Sequence, residues 1–131
     1  MASINNFEEL DVWKKARQIC IRINDISTNT TLSRNFSLKD QMQRSSGSIM
    51  DNIAEGFGRG GNKEFHNFLS YAKGSCAELK SQIYRCYDTK IITKQVFEEL
   101  IQLTTDENNK IGAFMYYLRN TNIKGQKFKK P

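Results

Sequence analysis

The sequence predicts an all-α protein, an antiparallel up-down-up-down four-helix bundle, and three observations support this prediction. Apolar residues recur every three or four positions in four separate segments, which is the spacing of one helical face. The single proline is the last of the 131 residues, so no proline interrupts a long helix. No stretch shows the sustained period-two alternation of a half-buried strand. Four amphipathic helices joined by short links bury their apolar faces against one another in a bundle.

The first helix is predicted over residues 8–27, after a short extended lead-in. Acidic residues at its start, among them Glu8, Glu9 and Asp11, suit the positive end of the helix dipole. Its apolar stripe consists of Val12, Ala16, Ile19, Cys20, Ile23 and Ile26. The cysteine of this stripe is expected to be a small buried apolar residue, as is Cys76 in the third helix.

The second helix is predicted over residues 37–57, with Ser37 as its N-cap. Its apolar face consists of Met42, Ile49, Ile53 and Phe57. Within it, residues 45–56 are rich in serine, glycine and asparagine, which are poor helix formers. Such a helix should depend on packing for its stability, and its small residues let a neighbouring helix come close. The glycines between residues 56 and 61 are expected to end it.

The third helix is predicted over residues 63–87 with Asn62 as N-cap, and the fourth over residues 94–120 with Thr93 as N-cap. The stripe of the third helix is Phe65, Phe68, Leu69, Ala72, Cys76, Leu79, Ile83 and either Cys86 or Tyr87. The inward residues of the fourth are Phe97, Leu100, Ile101, Leu103, Thr104, Ile111, Phe114, Met115 and Leu118. Its middle, residues 104–110, is polar, and we expect it to bend or fray.

The length predicts one domain, a bundle over residues 1–120 followed by a tail, residues 121–131, that we expect to be disordered. No apolar run approaches the roughly 20 residues that span a bilayer, and no signal peptide is recognisable, so no membrane role is expected. Three cysteines without CxxC spacing argue against a disulfide framework. We therefore expect a cytoplasmic protein.

The net charge is +6, but its distribution is uneven. The tail carries Lys124, Lys127, Lys129 and Lys130 and no acid, so only two of the six net charges belong to the bundle. That is a weak electrostatic footprint for a nucleic-acid-binding domain, and long-range attraction to phosphate would rest heavily on the tail.

Three segments of the chain form a recognisable set of motifs. The core motif is RSSGSIMDNIAEGFGR at residues 44–59. It is preceded by FEELDVWKKA at residues 7–16 and followed by KEFHNFLSYAKGSCAEL at residues 63–79. Together these segments resemble a known family, the 23S rRNA intervening-sequence proteins, and the resemblance extends over about residues 7–118. Gly47 departs from the bulkier residues usual in the family's second helix.

The resemblance implies a small bacterial four-helix bundle that is often a homo-oligomer, with some members forming rings of five. Genes of the family occur inside intervening sequences of large-subunit ribosomal RNA and elsewhere. A related protein is the accessory variability determinant of diversity-generating retroelements, which works with a reverse transcriptase. The resemblance thus implies RNA or DNA, a reverse transcriptase or a ribosomal component as partners.

Basic residues near the ends of the second helix, along the third helix and in the tail are the candidate contacts for nucleic acid. These residues are Arg44, Arg59, Lys63, Lys73, Lys80, Lys124, Lys127, Lys129 and Lys130. Tyrosines interleaved with them suit stacking on single-stranded bases. The alternative, which we favour, is that these tyrosines form a protein interface or its rim.

No catalytic or cofactor-binding set is predicted. Asn52 and Glu55 share a side of the second helix, and a structural network to the first helix or across a subunit contact is favoured over acid–base chemistry. The glycines of residues 56–61 are interpreted as a connector, with an anion site at Arg59 and Lys63 as the alternative. His66 is interpreted as an ordinary surface histidine, since the cysteines lie turns away and no metal set forms.

Two functions remain open at this point. The first is a non-catalytic oligomeric bundle that binds nucleic acid or a nucleoprotein partner through its basic residues. The second is a protein–protein scaffold or structural oligomer with no direct contact to nucleic acid.

Overall fold

A computed structural model describes residues 3–121 and 128–129, and most of this part is helical. The four helices are α1 (Asp11–Asn29), α2 (Phe36–Gly58), α3 (Asn62–Asp88) and α4 (Lys94–Arg119). Two 3₁₀ turns, Phe7–Glu9 and Thr31–Arg34, precede α1 and α2. Two short strands, β1 (Ser3–Ile4) and β2 (Phe128–Lys129), pair antiparallel. The all-α prediction is therefore confirmed, with one small strand pair at the chain ends.

The helices run antiparallel to their neighbours, as contacts between side chains show. In each of three helix pairs, contacts that move forward along one helix move backward along the other. These contacts are Lys15–Asp106 and Arg22–Glu99 between α1 and α4, Gln41–Arg85 and Ser48–Ser75 between α2 and α3, and Lys80–Thr105 and His66–Arg119 between α3 and α4. Together they give an up-down-up-down arrangement in which α3 lies between α2 and α4.

One hydrophobic core fills the bundle, and it contains most of the predicted stripes. Its fully buried large side chains are Ile19, Ile23, Leu32, Met42, Ile49, Ile53, Phe65, Leu69, Leu79, Ile83 and Leu100. Cys76 is buried as predicted, whereas Cys20 is only half-buried and lies beside Ser46 of α2.

Two predicted N-caps are wrong because neighbouring residues take the role. Asn35, not Ser37, caps α2, and its Oδ1 accepts a hydrogen bond from the backbone nitrogen of Leu38 at 3.2 Å. Gly61 occupies the N-cap position of α3. Asn62 instead donates to the carbonyl oxygen of Thr121, at 3.2 Å, beyond the end of α4. Thr93 caps α4 as predicted and accepts from the nitrogen of Val96 at 3.2 Å.

The glycines of residues 56–61 have separate roles. Gly56 lies buried within α2, where an added Cβ would come within 2.5 Å of the Cβ of Phe68 on α3. Gly60 turns the chain with a φ of 89°, a conformation that glycine adopts readily. Gly47 has no atom within 4 Å of such a Cβ. The close approach of two helices therefore depends on Gly56 and not on Gly47.

The polar middle of α4 does not interrupt the helix. Residues 104–110 are helical throughout, and Thr104 and Glu107 are buried. Thr104 satisfies its hydroxyl by donating to the carbonyl oxygen of Leu100 at 2.9 Å. The expected fraying is therefore wrong, because the inward polar residues occupy core positions of a continuous helix.

Candidate nucleic-acid interface

The two predicted arginines of α2 are each neutralised by an acid of their own helix. The Nε atom of Arg44 lies 2.9 Å from a carboxylate oxygen of Asp40. Arg59 donates to Glu55 at 2.7 Å, and its guanidinium lies 5.1 Å from the centre of the Phe68 ring. Exposed pairs of this kind contribute little to stability, but the carboxylate cancels the net charge of each arginine. Neither arginine therefore presents an uncompensated cation.

Lys63 lies exposed in the first turn of α3, beside Arg59 in sequence but in a different environment. Arg59 also lies 4.0 Å from Glu64, whereas the ion pairs among the described residues do not include Lys63. Of the two predicted cations at this end of the bundle, Lys63 therefore has no acidic partner among the described residues.

Lys73 and Lys80 lie together along the line where α3 meets α4. The ammonium group of Lys80 donates to the hydroxyl of Thr105 at 3.0 Å. The Cε atom of Lys73 lies 3.5 Å from the point that a Cβ on Gly112 would occupy, so the aliphatic stem of this lysine crosses α4 at a glycine. Seven residues of helix separate the two lysines, which is about 10 Å along the bundle.

The same line continues toward the start of α3 and the end of α4, where His66 and Arg119 lie. The guanidinium of Arg119 lies 2.8 Å from Nε2 of His66, and because a guanidinium can only donate, Nε2 is the acceptor. Burial, and then the positive charge of Arg119, lower the pKa of His66 below its ordinary value. Our interpretation of His66 as a plain surface residue missed this contact with α4.

Two exposed aromatic rings lie along this line, on either side of Lys73 and Lys80. Tyr84, which is 47% exposed, makes a T-shaped contact with Phe97 at a centroid distance of 5.0 Å. Tyr116, which is 64% exposed, lies beneath the guanidinium of Arg119 at 5.8 Å. We call the surface formed by Lys73, Lys80, Tyr84, Tyr116 and Arg119 the α3–α4 face.

The acidic residues at the level of Lys73, Lys80 and Arg119 make their contacts away from the α3–α4 face. Within residues 66–84 and 101–119 these acids are Glu78, Asp106 and Glu107. Glu78 lies 2.9 Å from the hydroxyl of Ser45 on α2, Asp106 lies 3.9 Å from Lys15 on α1, and Glu107 is fully buried.

One further acid lies at the Tyr84 end of the face. Glu98 is seven residues before Thr105, on the same side of α4, and it pairs with Lys94 at 3.9 Å. Within the described residues, Lys73, Lys80 and Arg119 therefore have no acidic ion-pair partner.

Glu107 lies in the core with neither carboxylate oxygen hydrogen-bonded. Burial raises its pKa to about 8, although Lys15 and Lys110 act in the opposite direction. The carboxyl group is therefore protonated at neutral pH and adds little negative charge beneath the neighbouring face. Sequence reasoning missed it, but its position three residues after Thr104 and four before Ile111 was a signal that it belongs to the inward stripe.

The opposite side of α3 carries a hydroxyl and amide network, and its cation Arg85 donates to the side-chain oxygen of Gln41 on α2 at 3.1 Å. Ser75 on α3 donates to Ser48 on α2 at 2.9 Å, and Asn52 donates to the same hydroxyl at 2.9 Å. We call this group, with Ser45 and Glu78, the α2–α3 network. The predicted structural network therefore exists, but it joins α2 to α3 and not to α1, and Glu55 is outside it because it pairs with Arg59.

The remaining predicted contacts lie in or near the tail. Lys124, Lys127 and Lys130 are outside the described residues, as is most of the tail predicted to be disordered. Lys129 is described through its backbone alone, which pairs with Ser3 in the short strand pair.

Within residues 3–121 and 128–129, no group of three or more histidine, cysteine, aspartate or glutamate side chains is placed to hold a metal ion. None of the described helices is both long enough and apolar enough to cross a membrane.

A family model described as 23S rRNA-intervening sequence protein matches residues 8–113 of the chain. The fold resembles a crystal structure from Bacteroides thetaiotaomicron, of a protein with unknown function from the S23 ribosomal protein family. The TM-score is 0.73 and the sequence identity 23%, over 79% of this chain and 97% of that chain. No functionally curated protein shows significant sequence similarity to this one. Because the family match spans more than half of its length, the chain belongs to the 23S rRNA-intervening sequence protein family.

Proposed function

We propose that the protein is a non-catalytic bundle that binds nucleic acid through the α3–α4 face. The observation that carries the proposal is the segregation of charge on α3 and α4. Lys73, Lys80 and Arg119 share a surface from which the nearby acids are turned away.

This surface differs from an ordinary lysine-rich surface because its cations have no acidic partner among the described residues. Each cation that contacts a phosphate releases a condensed counterion, so binding should weaken as salt concentration rises. A cation already paired with a carboxylate, such as Arg44 or Arg59, contributes less because that pair must first be broken. The proposal therefore assigns Lys73 and Lys80 a larger role than the two arginines.

Other predicted contacts are auxiliary in this proposal. Lys63 lies near the Arg119 end of the face, where it lines a shallow pocket with His66 and Arg119. The lysines of residues 124–130 would add further positive charge near the chain ends. The proposed ligand is RNA or DNA, and a reverse transcriptase or a ribosomal component is proposed as a further partner. These partner classes come from the proteins that the sequence resembles, including the retroelement determinant. A cytoplasmic location is part of the same proposal.

The state of the cysteines supports the non-catalytic part of the proposal. Burial raises the pKa of Cys76 to about 12 and that of Cys86 to about 11. Both are therefore thiols and not thiolates at neutral pH, which makes them poor nucleophiles.

The test is fluorescence anisotropy with labelled RNA and DNA at several salt concentrations between about 50 and 200 mM. Replacing Lys73 and Lys80 with glutamine should lower the slope of log K against log salt by about 1.4 to 1.8, or 0.7 to 0.9 for each phosphate contact. The matched control replaces Arg44 and Arg59 with glutamine, which changes net charge equally and should alter the slope less. Binding that is absent at low salt, or equal loss in both variants, would contradict the proposal.

A contact between copies of the chain is the second candidate, and an exposed apolar side chain favours it. Ile21 on α1 is 60% exposed and lines a groove with the half-buried Leu103 of α4. An interface buries such residues, and the family resemblance implies rings, including pentamers. Light scattering over micromolar concentrations tests it, with Ile21→Glu expected to shift the mass toward the monomer. A wild-type mass that is strictly monomeric would remove this candidate.

A further inference from the structure

Two exposed aromatic rings flank Lys73 and Lys80 on the α3–α4 face. Tyr84 lies one turn beyond Lys80, and Tyr116 lies on the far side of Lys73, beside Arg119. We infer that the ligand of this face is a single-stranded nucleic acid, with bases stacked on Tyr84 and Tyr116 and phosphates on the two lysines between them. This inference rests on the proposed function and specifies the class of ligand.

The length of the face fits a short strand. The contacts of Lys73 with the Gly112 position and of His66 with Arg119 place Tyr116 opposite α3 residue 69 or its neighbours. The two tyrosines are then separated by about 15 helical residues, or about 22 Å along the bundle. At the spacing of about 3.4 Å for stacked nucleotides, about six or seven nucleotides cover this distance, and a more extended strand covers it with fewer.

Exposed rings discriminate between single strands and duplexes. In a duplex, the bases are stacked on one another and their faces are covered, so rings on a convex helical surface cannot reach them. In a single strand the faces are available, and each stacked base on an aromatic side chain contributes to affinity with little dependence on sequence. The structure thus offers a recognition mode that a duplex does not use.

The guanidinium of Arg119 already lies over the Tyr116 ring at 5.8 Å, so a base on the free side of that ring would be part of a cation, ring and base stack. At the other end, the T-shaped contact with Phe97 restricts the ring of Tyr84. Restricted rings lose little conformational freedom on binding, which favours their use as stacking platforms.

A third exposed tyrosine supplies the matched control. Tyr71 is 58% exposed but lies on the α2 side of α3, where it makes a T-shaped contact with Phe68 at 5.6 Å. Phe68 is the residue that approaches Gly56 of α2, so Tyr71 does not belong to the α3–α4 face.

The experiment measures binding of fluorescein-labelled oligothymidylates and oligouridylates of four, eight and twelve nucleotides, beside a blunt duplex of twelve base pairs. We expect single strands to bind more tightly than the duplex, with most of the affinity reached at eight nucleotides. Tyr84→Ala and Tyr116→Ala should each weaken single-strand binding about tenfold, while the salt slope remains. Tyr84→Phe should retain binding because the ring remains, and Tyr71→Ala should bind as the wild type does.

The outcomes separate the two proposals. Salt-dependent binding with no preference for single strands, or with no loss in the two alanine variants, overturns the single-strand inference and leaves the proposed function standing. Binding of neither a strand nor a duplex at low salt overturns both. Circular dichroism melting of each variant shows whether a loss reflects unfolding, and in that case the ring-retaining Tyr84→Phe and Tyr116→Phe decide, since the inference requires them to bind normally.

Discussion

The two sides of α3 differ in how they handle polar groups. On the α2 side, Ser75 and Glu78 are hydrogen-bonded to the hydroxyls of Ser48 and Ser45, and the helices approach closely at Gly56. On the α4 side, Lys73 and Lys80 lie along the helix boundary without an acidic partner. One helix thus supports a satisfied, structural contact on one side and an uncompensated basic surface on the other.

The number of exposed cations therefore does not predict where a polyanion would bind. Arg44 and Arg59 belong to the family motif and are exposed, yet each is paired with an acid one turn away. Lys73 and Lys80 come from a less conspicuous stretch of sequence, and only the positions of the acids distinguish them.

The low charge beneath the α3–α4 face depends on the protonation of Glu107. Its pKa is about 8 in the folded protein, above its ordinary value of 4.5, so the folded state holds a proton that the unfolded state releases between these values. The stability contributed by this group is fully present below about pH 4.5 and is lost as pH rises through about 8. Between pH 5 and pH 8 the loss should be about 3 kcal/mol.

Urea denaturation at pH 5 and pH 8 measures this effect. Glu107→Gln should remove that part of the pH dependence, and the difference between wild type and variant isolates it from other titrating groups. If the two proteins lose the same stability between these pH values, Glu107 is not buried in the neutral form.

The close α2–α3 contact should be intolerant of added volume at one glycine only. Gly56→Ala places a Cβ about 2.5 Å from that of Phe68, so we expect a loss of about 1 to 3 kcal/mol in the free energy of unfolding. Gly47→Ala meets no atom within 4 Å and should stabilise the protein by about 0.4 to 1 kcal/mol. Chemical denaturation of the two variants measures both signs, and equal effects would contradict our assignment of the close contact to Gly56.

Adding an acid beside Lys80 should weaken nucleic-acid binding, and removing the acid beside Arg59 should strengthen it. Thr105→Glu places a carboxylate beside Lys80, as Glu55 lies beside Arg59, and should weaken nucleic-acid binding several-fold without removing a cation. Glu55→Gln frees Arg59 from its shortest ion pair and should strengthen binding by a smaller factor. Anisotropy at fixed low salt measures both changes. If Thr105→Glu binds as wild type does, the absence of acids is not what defines the α3–α4 face.

The contact between His66 and Arg119 should depend on pH. Burial and the charge of Arg119 lower the pKa of His66, so its ring should titrate below its ordinary value of 6.5. The contact is therefore present above the folded pKa of His66 and lost as pH falls through it. NMR of the imidazole protons measures the midpoint, and Arg119→Gln should move it upward. A midpoint at or above 6.5 in the wild type would show that the contact does not persist in solution.

Much of the fold could be predicted from the sequence, since four long amphipathic segments have few other ways to bury their stripes. The ends of the helices were less predictable. Asn35 and Ser37 are both good N-cap residues, and local sequence does not decide between them. Asn62 does not cap α3, because its side chain donates to the carbonyl oxygens of Leu118 and Thr121, which are more than fifty residues away in the chain.

The candidate site was predictable only in part. Lys73 and Lys80 were identified as basic residues interleaved with tyrosines, but so were Arg44 and Arg59, and periodicity treats all four alike. Arg119 was missed because it is a single charge at the end of a helix. Its partner His66 is 53 residues away, so no local pattern relates the two.

By itself, the sequence determined the number of helices, their apolar faces and the family, because periodicity and motif are properties of the chain alone. The tertiary structure decided which neighbour each polar side chain meets. It placed Glu78 against α2 and Asp106 against α1, and it buried Glu107. Net charge is a sum over residues, whereas an electrostatic surface depends on distances between them, and those distances arise only when the helices pack.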